Sequence, residues 1–124
     1  HSKETLRFHV DQESWAGTVG EEGGDFAVPG LPIDDIVDDL KLDRVDFIKF
    51  DIEGAERHAL NGTWRTLARF GPDLVVSVYH RPDDPQAAQK IVAAANPAYI
   101  LRESDRRDRS YYMNFFTVRE TRSP

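Results

Sequence analysis

The chain has 124 residues, no cysteine and a formal net charge of −6. That length suits one domain, 1–124, and 40% hydrophobic residues are compatible with a packed core. The acidic balance argues against a nucleic-acid binder, which carries a basic face, and the missing thiols exclude disulfides, thiolate zinc sites and a cysteine nucleophile.

The start, His1-Ser2-Lys3-Glu4, is too polar for a signal peptide. It lacks an initiator methionine, so a processed start or a piece of something longer is expected. No apolar run approaches the ~20 residues of a membrane span. With no thiols as well, a cytoplasmic location without membrane contact is expected. Leu6, Phe8 and Val10 alternate with polar residues, which predicts a half-buried strand over 5–10 near a sheet edge. Asp11 to Gly24 is polar and carries Gly17, Gly20, Gly23 and Gly24. It reads as a surface loop, because its spacing is neither GxGxxG nor a P-loop. Trp15 within it is a packing anchor or a lid residue. Phe26 to Pro29 reads as a short extended piece.

Pro32 fits the first turn of a helix. Ile33, Ile36, Val37 and Leu40 give that helix one apolar face, and Asp34, Asp35, Asp38 and Asp39 read as its solvated side. Lys41 to Arg44 leads into Val45-Asp-Phe-Ile-Lys-Phe-Asp-Ile-Glu-Gly-Ala-Glu56. Val45, Phe47, Ile48 and Phe50 predict a strand covered on both faces. Asp51 falls at its end, and Glu53-Gly54-Ala55-Glu56 opens a helical pattern. Carboxyl ends of parallel strands are where open α/β sheets bind ligands.

Ala55, Ala59 and Leu60 share a helix face, and Asn61-Gly62 stops it. Thr63 is placed to cap a second short helix that buries Trp64 and Leu67, and Gly71-Pro72 ends that one. Asp73 to His80 is the second buried strand. Strand, helical crossover and strand within ~35 residues make a βαβ unit. Its right-handed crossover brings Asp51 and His80 to one rim. Pro85 starts a third helix with its face at Ala87, Ala88, Ile91, Val92 and Ala95, stopped by Asn96-Pro97. Tyr99 to Leu101 and Tyr111 to Val118 read as an antiparallel hairpin. The arginines between them (Arg102, Arg106, Arg107 and Arg109) read as a solvated loop.

Ile33-Asp34-Asp35-Ile36, the "IKxD" strand followed by "DxEGAE", Leu60-Asn61-Gly62, Tyr79-His80 with Pro82-Asp83-Asp84, and Asn96-Pro97-Ala98-Tyr99 together resemble the FkbM family of S-adenosylmethionine-dependent methyltransferases. The resemblance runs from about residue 5 to the end. It implies an α/β fold: a partial Rossmann-like class I methyltransferase sheet, in which the Asp51 block is the fourth strand, with a βαβ unit followed by an antiparallel C-terminal hairpin. It also implies O-methylation of a small-molecule hydroxyl, on a sugar or natural product, with Asp51, Ile52, Glu53 and Gly54 against the cofactor. The family's Asp-x-Gly-Ala-x-x-Gly cofactor turn is absent, and Gly20 to Gly24 does not replace it. The chain therefore resembles the C-terminal part of such an enzyme, and tight cofactor binding by the chain alone is not expected.

Methyl transfer to a hydroxyl needs orientation and removal of a proton. Asp51 is the first candidate catalytic residue; its structural role would be to cap the following helix. His80 is the candidate base, or a structural histidine. Asp51, Glu53 and Glu56 offer oxygen ligands for a divalent metal, or the two glutamates favour a helix N-terminus. Lys49 is expected to pair with a carboxylate, and His9 and His58 to lie on the surface. Two other classes are open: a metal-dependent phosphodiesterase using Asp51 and Glu53, and a non-catalytic module forming a homodimer through an exposed sheet edge.

Overall fold

The computed structural model describes residues 4–10, 17–20, 26–104 and 112–118. β1 (Glu4–Val10), β2 (Gly17–Gly20) and β3 (Phe26–Gly30) form an antiparallel sheet in the order β2-β1-β3. β1 is therefore a central strand and not an edge. Its second partner comes from the glycine-rich segment, where Arg7 stands opposite Gly20 and Val10 opposite Gly17. Thr18 and Val19 favour extended backbone, which outweighs the glycines on either side. Trp15, Gly23, Gly24, His9 as a side chain and the arginines 106, 107 and 109 lie outside the described residues or side chains.

α1 (Ile33–Asp39) follows Pro32, whose φ of −57° already suits a helix start. Val37 is buried and Ile33 partly so, while Ile36 and Leu40 are exposed. Asp34 is the main departure from the sequence reading. It is 5% exposed, not solvated. Its carboxylate accepts from the backbone N–H of Arg65 (2.9 Å) and Thr66 (2.8 Å) and from the Thr66 hydroxyl (2.7 Å). Asp34 thus caps α3 (Trp64–Phe70) from a different helix. Thr63, expected to cap it, donates to Ala59 O instead, at 2.7 Å. Asp35 and Asp38 pair with Arg65 across the same junction.

The second sheet has the order β4-β5-β7-β6, with β4 Phe47–Phe50, β5 Asp73–Ser77, β6 Tyr99–Glu103 and β7 Met113–Val118. β4 and β5 are parallel, with Phe47 opposite Asp73 and Phe50 opposite Val76. Between them run α2 (Glu56–Asn61) and α3, so the βαβ unit is present as expected. Gly71 ends α3 in the left-handed region, φ 59°, where a Cβ would also meet Val118 at 2.9 Å. The final hairpin is antiparallel, but β7 also pairs antiparallel with β5 and so lies inside the sheet, leaving β6 at the edge. β4 forms the other edge and is not covered on both faces: Phe50 is buried, whereas Phe47 is 57% exposed. Trp64, expected inside, is exposed as well.

α4 (Asp84–Ala95) buries Ala88 and Val92 in one core with Phe50, Leu60, Leu67, Leu74 and Phe116. Tyr99 packs edge-on to Phe116 and donates to Pro72 O at 2.7 Å; burial and the charge of Asp73 push its phenol pKa well up. This core fixes the ends of β4 and β5 side by side. No described helix is long and apolar enough to cross a membrane.

Candidate functional site

Parallel pairing of β4 and β5 puts their carboxyl ends on one rim. Asp51 leaves β4 there; Ser77 ends β5, and Tyr79 and His80 follow it. The Asp51 carboxylate accepts from Ser77 Oγ (2.9 Å) and Tyr79 OH (3.3 Å), and its other oxygen pairs with Lys49 Nζ at 3.0 Å. Lys49 and Asp51 are two apart on an extended chain and so share a side. Hydrogen bonds from Lys49 and Ser77 hold the Asp51 carboxyl below its ordinary pKa, which keeps it ionised near neutral pH. Partial burial, with the charges of Asp51 and Glu53, raises the Tyr79 pKa and keeps its phenol neutral.

The chain then turns through Glu53, φ 54°, and Gly54, φ 100°. Gly54 is needed for that angle and not for space, since a Cβ would only reach ordinary contact with His80, at 3.8 Å. The helix itself starts at Glu56, after this turn. Glu56 is buried and accepts from Ile52 N–H at 2.9 Å. The reciprocal bond of the turn thus comes from Glu56, and Asp51 is not the cap of α2. His80 lies between two carboxylates: Nε2 is 3.2 Å from Glu53 Oε2, a hydrogen bond, and Nδ1 is 3.6 Å from Glu56 Oε2, too long for one. The Tyr79 and His80 rings pack at 4.3 Å between centroids.

A second clamp holds the segment after His80. Arg57 on α2 donates from Nε to Asp84 at 2.7 Å and from a terminal nitrogen to Asp83 at 2.5 Å. The other Asp84 oxygen accepts from Arg81 N–H at 2.7 Å. Beside it lies a cavity of about 600 Å³. Val78, Pro82 and Pro85 supply apolar wall, and Tyr79, His80, Arg81 and Gln86 supply polar groups.

Asp51, Glu53, Glu56 and His80 are therefore all at one rim. Asp51 is turned to Lys49, Ser77 and Tyr79, the glutamates are turned to His80, and among the described residues no group of three or more His, Asp or Glu side chains is arranged around a cation. Lys49 pairs with a carboxylate as expected, but while exposed and not buried.

Residues 2–111 match the family described as the Methyltransferase FkbM domain. The chain belongs to the FkbM methyltransferase domain family. It is also similar to the crystal structure of Methyltransferase FkbM from Methylobacillus flagellatus KT, with 33% identity and a TM-score of 0.64 over 73% of this chain. The chain spans 23% of the length of that protein. No match was found among curated proteins.

Within this FkbM domain the sequence reading missed Ser77 and Arg57, and it quoted Tyr79 and Asp84 within a motif without giving either a role. Ser77 could have been noticed as the hydroxyl interrupting an apolar strand. Arg57 and Asp84 are 27 positions apart, and no local pattern links them.

Proposed function

We propose that this chain forms the acceptor side of an S-adenosylmethionine-dependent O-methyltransferase acting on a small-molecule hydroxyl, of a sugar or natural product. The observation that carries this reading is the rim itself. An ionised Asp51, a neutral Tyr79 and a His80 flanked by Glu53 and Glu56 stand at the carboxyl ends of adjacent parallel strands, beside a cavity of about 600 Å³.

S-adenosylmethionine, when bound, supplies a methyl group on a cationic sulfonium. The residues present fit that part of it: a carboxylate kept ionised by its neighbours favours a nearby cation, and Ile52 beside it is exposed. Among the described residues there is no glycine-rich turn from a strand into a helix to hold the rest of the cofactor, so the cradle is incomplete.

Tyr79, fixed by Asp51, orients an acceptor in the cavity. His80 is the group for the hydroxyl proton. The Nε2 contact with the Glu53 carboxylate needs the proton on Nε2, so accepting at Nε2 requires the acceptor hydroxyl to displace Glu53 and the imidazole to carry its proton on Nδ1 instead. Glu53 then pairs with the imidazolium formed.

The test is methyl transfer from labelled S-adenosylmethionine to a panel of hydroxyl compounds by the N-terminally extended protein, with His80→Gln compared against the unaltered form. A fall in kcat of about 10²-fold, in line with the loss of a general base, with KM for the cofactor nearly constant, is expected. Unchanged kcat would remove His80 from the reaction.

A further inference from the structure

We propose that Arg81 reads an anionic group on the acceptor, so that the site selects hydroxyl compounds carrying a carboxylate over their neutral counterparts. Arg81 lines the cavity beside His80 and is exposed. Two aspartates follow within three positions, Asp83 and Asp84, and both would be natural partners for its guanidinium. Arg57 reaches over from α2 and takes them both. Asp84 uses its remaining oxygen on the Arg81 backbone N–H, at 2.7 Å. The main chain of Arg81 is thus held in place while its guanidinium forms no ion pair among the described residues.

Arg81 lies in the field of Asp83, but among the described residues no carboxylate closes on its guanidinium, whereas Arg44, Lys49, Arg57 and Arg65 are each engaged by carboxylates. A guanidinium matches a carboxylate through two parallel N–H···O bonds, which adds geometry as well as charge. The same cavity is bounded by Tyr79 and His80, which hydrogen-bond to Asp51 and Glu53. An anion is repelled from that acidic cluster and drawn to Arg81. A hydroxy acid would therefore enter with its carboxylate on Arg81 and its hydroxyl toward His80. The orientation of the hydroxyl rests on the methyltransferase reading above, whereas the anion contact does not. Pro82, Pro85 and Tyr79 offer surface for the apolar face of a ring.

The test uses two matched probes, phenyl β-D-glucuronide and phenyl β-D-glucoside, which differ in the carboxylate. Binding is followed by NMR titration in low salt without cofactor, so that it is independent of methyl transfer. The glucuronide is expected to bind at least about 10-fold more tightly, as a charge-assisted bidentate contact would give. Its shifts should centre on His80, Arg81 and Gln86. Arg81→Gln should bring the two dissociation constants within about twofold, and Arg81→Lys should keep part of the preference. Equal binding of both probes, no binding of either, or a preference that survives Arg81→Gln would overturn the proposal. A glucuronide preference that depends on Arg81, with no methyl transfer to any hydroxyl compound, would uphold the anion site and refute the transferase reading.

Discussion

Replacing Asp51 with asparagine in the N-terminally extended protein is expected to lower kcat/KM for methyl transfer by about 10²–10³-fold, the scale seen when one charge-stabilising group is removed from an active site. Asparagine keeps an oxygen that can accept from Ser77 and Tyr79 and so preserves the shape of the rim. It loses the negative charge that Lys49 partners at 3.0 Å. The change therefore separates charge from packing, which alanine would not. The cost in stability is expected to be about 1 kcal/mol or less, because the pair is partly solvated. Its pH dependence has a definite sign. The folded-state pKa of Asp51 lies below its ordinary 3.8, so the charge contributes stability above that value. The contribution is lost as the pH falls through the lower, folded-state value. Urea unfolding of the two proteins should thus differ near neutral pH and converge in acid. Wild-type transfer rates in Asp51→Asn would exclude the charge from the reaction.

Asp34→Ala should be the most damaging single change to the fold, by about 3 kcal/mol or more. Three donors, two backbone N–H groups and the Thr66 hydroxyl, end on one buried carboxylate. Bonds to a charged group are stronger than neutral ones, and donors left unsatisfied inside cost their full desolvation. Asp34→Asn would not restore the site. One amide oxygen can serve Thr66, but the amide NH2 then faces the Arg65 N–H, donor against donor. The loss propagates because α3 is the second half of the crossover between β4 and β5. Equilibrium urea unfolding measures it, and a loss under about 1 kcal/mol would show that the cap is not structural.

The apolar spacing made much of this fold legible. Val92 and Ala88 sit on the predicted face of α4, and Leu74 and Val76 sit inside β5. Two adjacent strands joined by helices had to be parallel, and that alone brought Asp51 and His80 to one rim. Hidden features depended on partners far along the chain. Asp34 looks like one of four solvated acids, and only its contact with Thr66, 32 positions on, makes it a buried cap. The burial of β4 was misjudged because an apolar run shows that a strand wants cover, not whether a neighbour provides it. β7 could be read as half of a hairpin, yet nothing in its residues said that its free edge would join β5. The site divides in the same way. The carboxylates were visible beside Gly54, but the hydroxyls of Ser77 and Tyr79 that hold Asp51, and the Arg57–Asp84 clamp behind His80, join residues 26–28 positions apart.

The central proposal is that the Asp51–His80 rim is one side of a methyl-transfer site whose cofactor cradle is incomplete among the described residues. Titration calorimetry with S-adenosylmethionine tests it most directly, using this chain and a version extended at its N-terminus by the sequence encoded upstream. The extended protein is expected to bind the cofactor, and Asp51→Asn within it to bind more weakly, while this chain alone binds far more weakly or not at all. No binding by the extended protein, or binding indifferent to Asp51, would contradict the account.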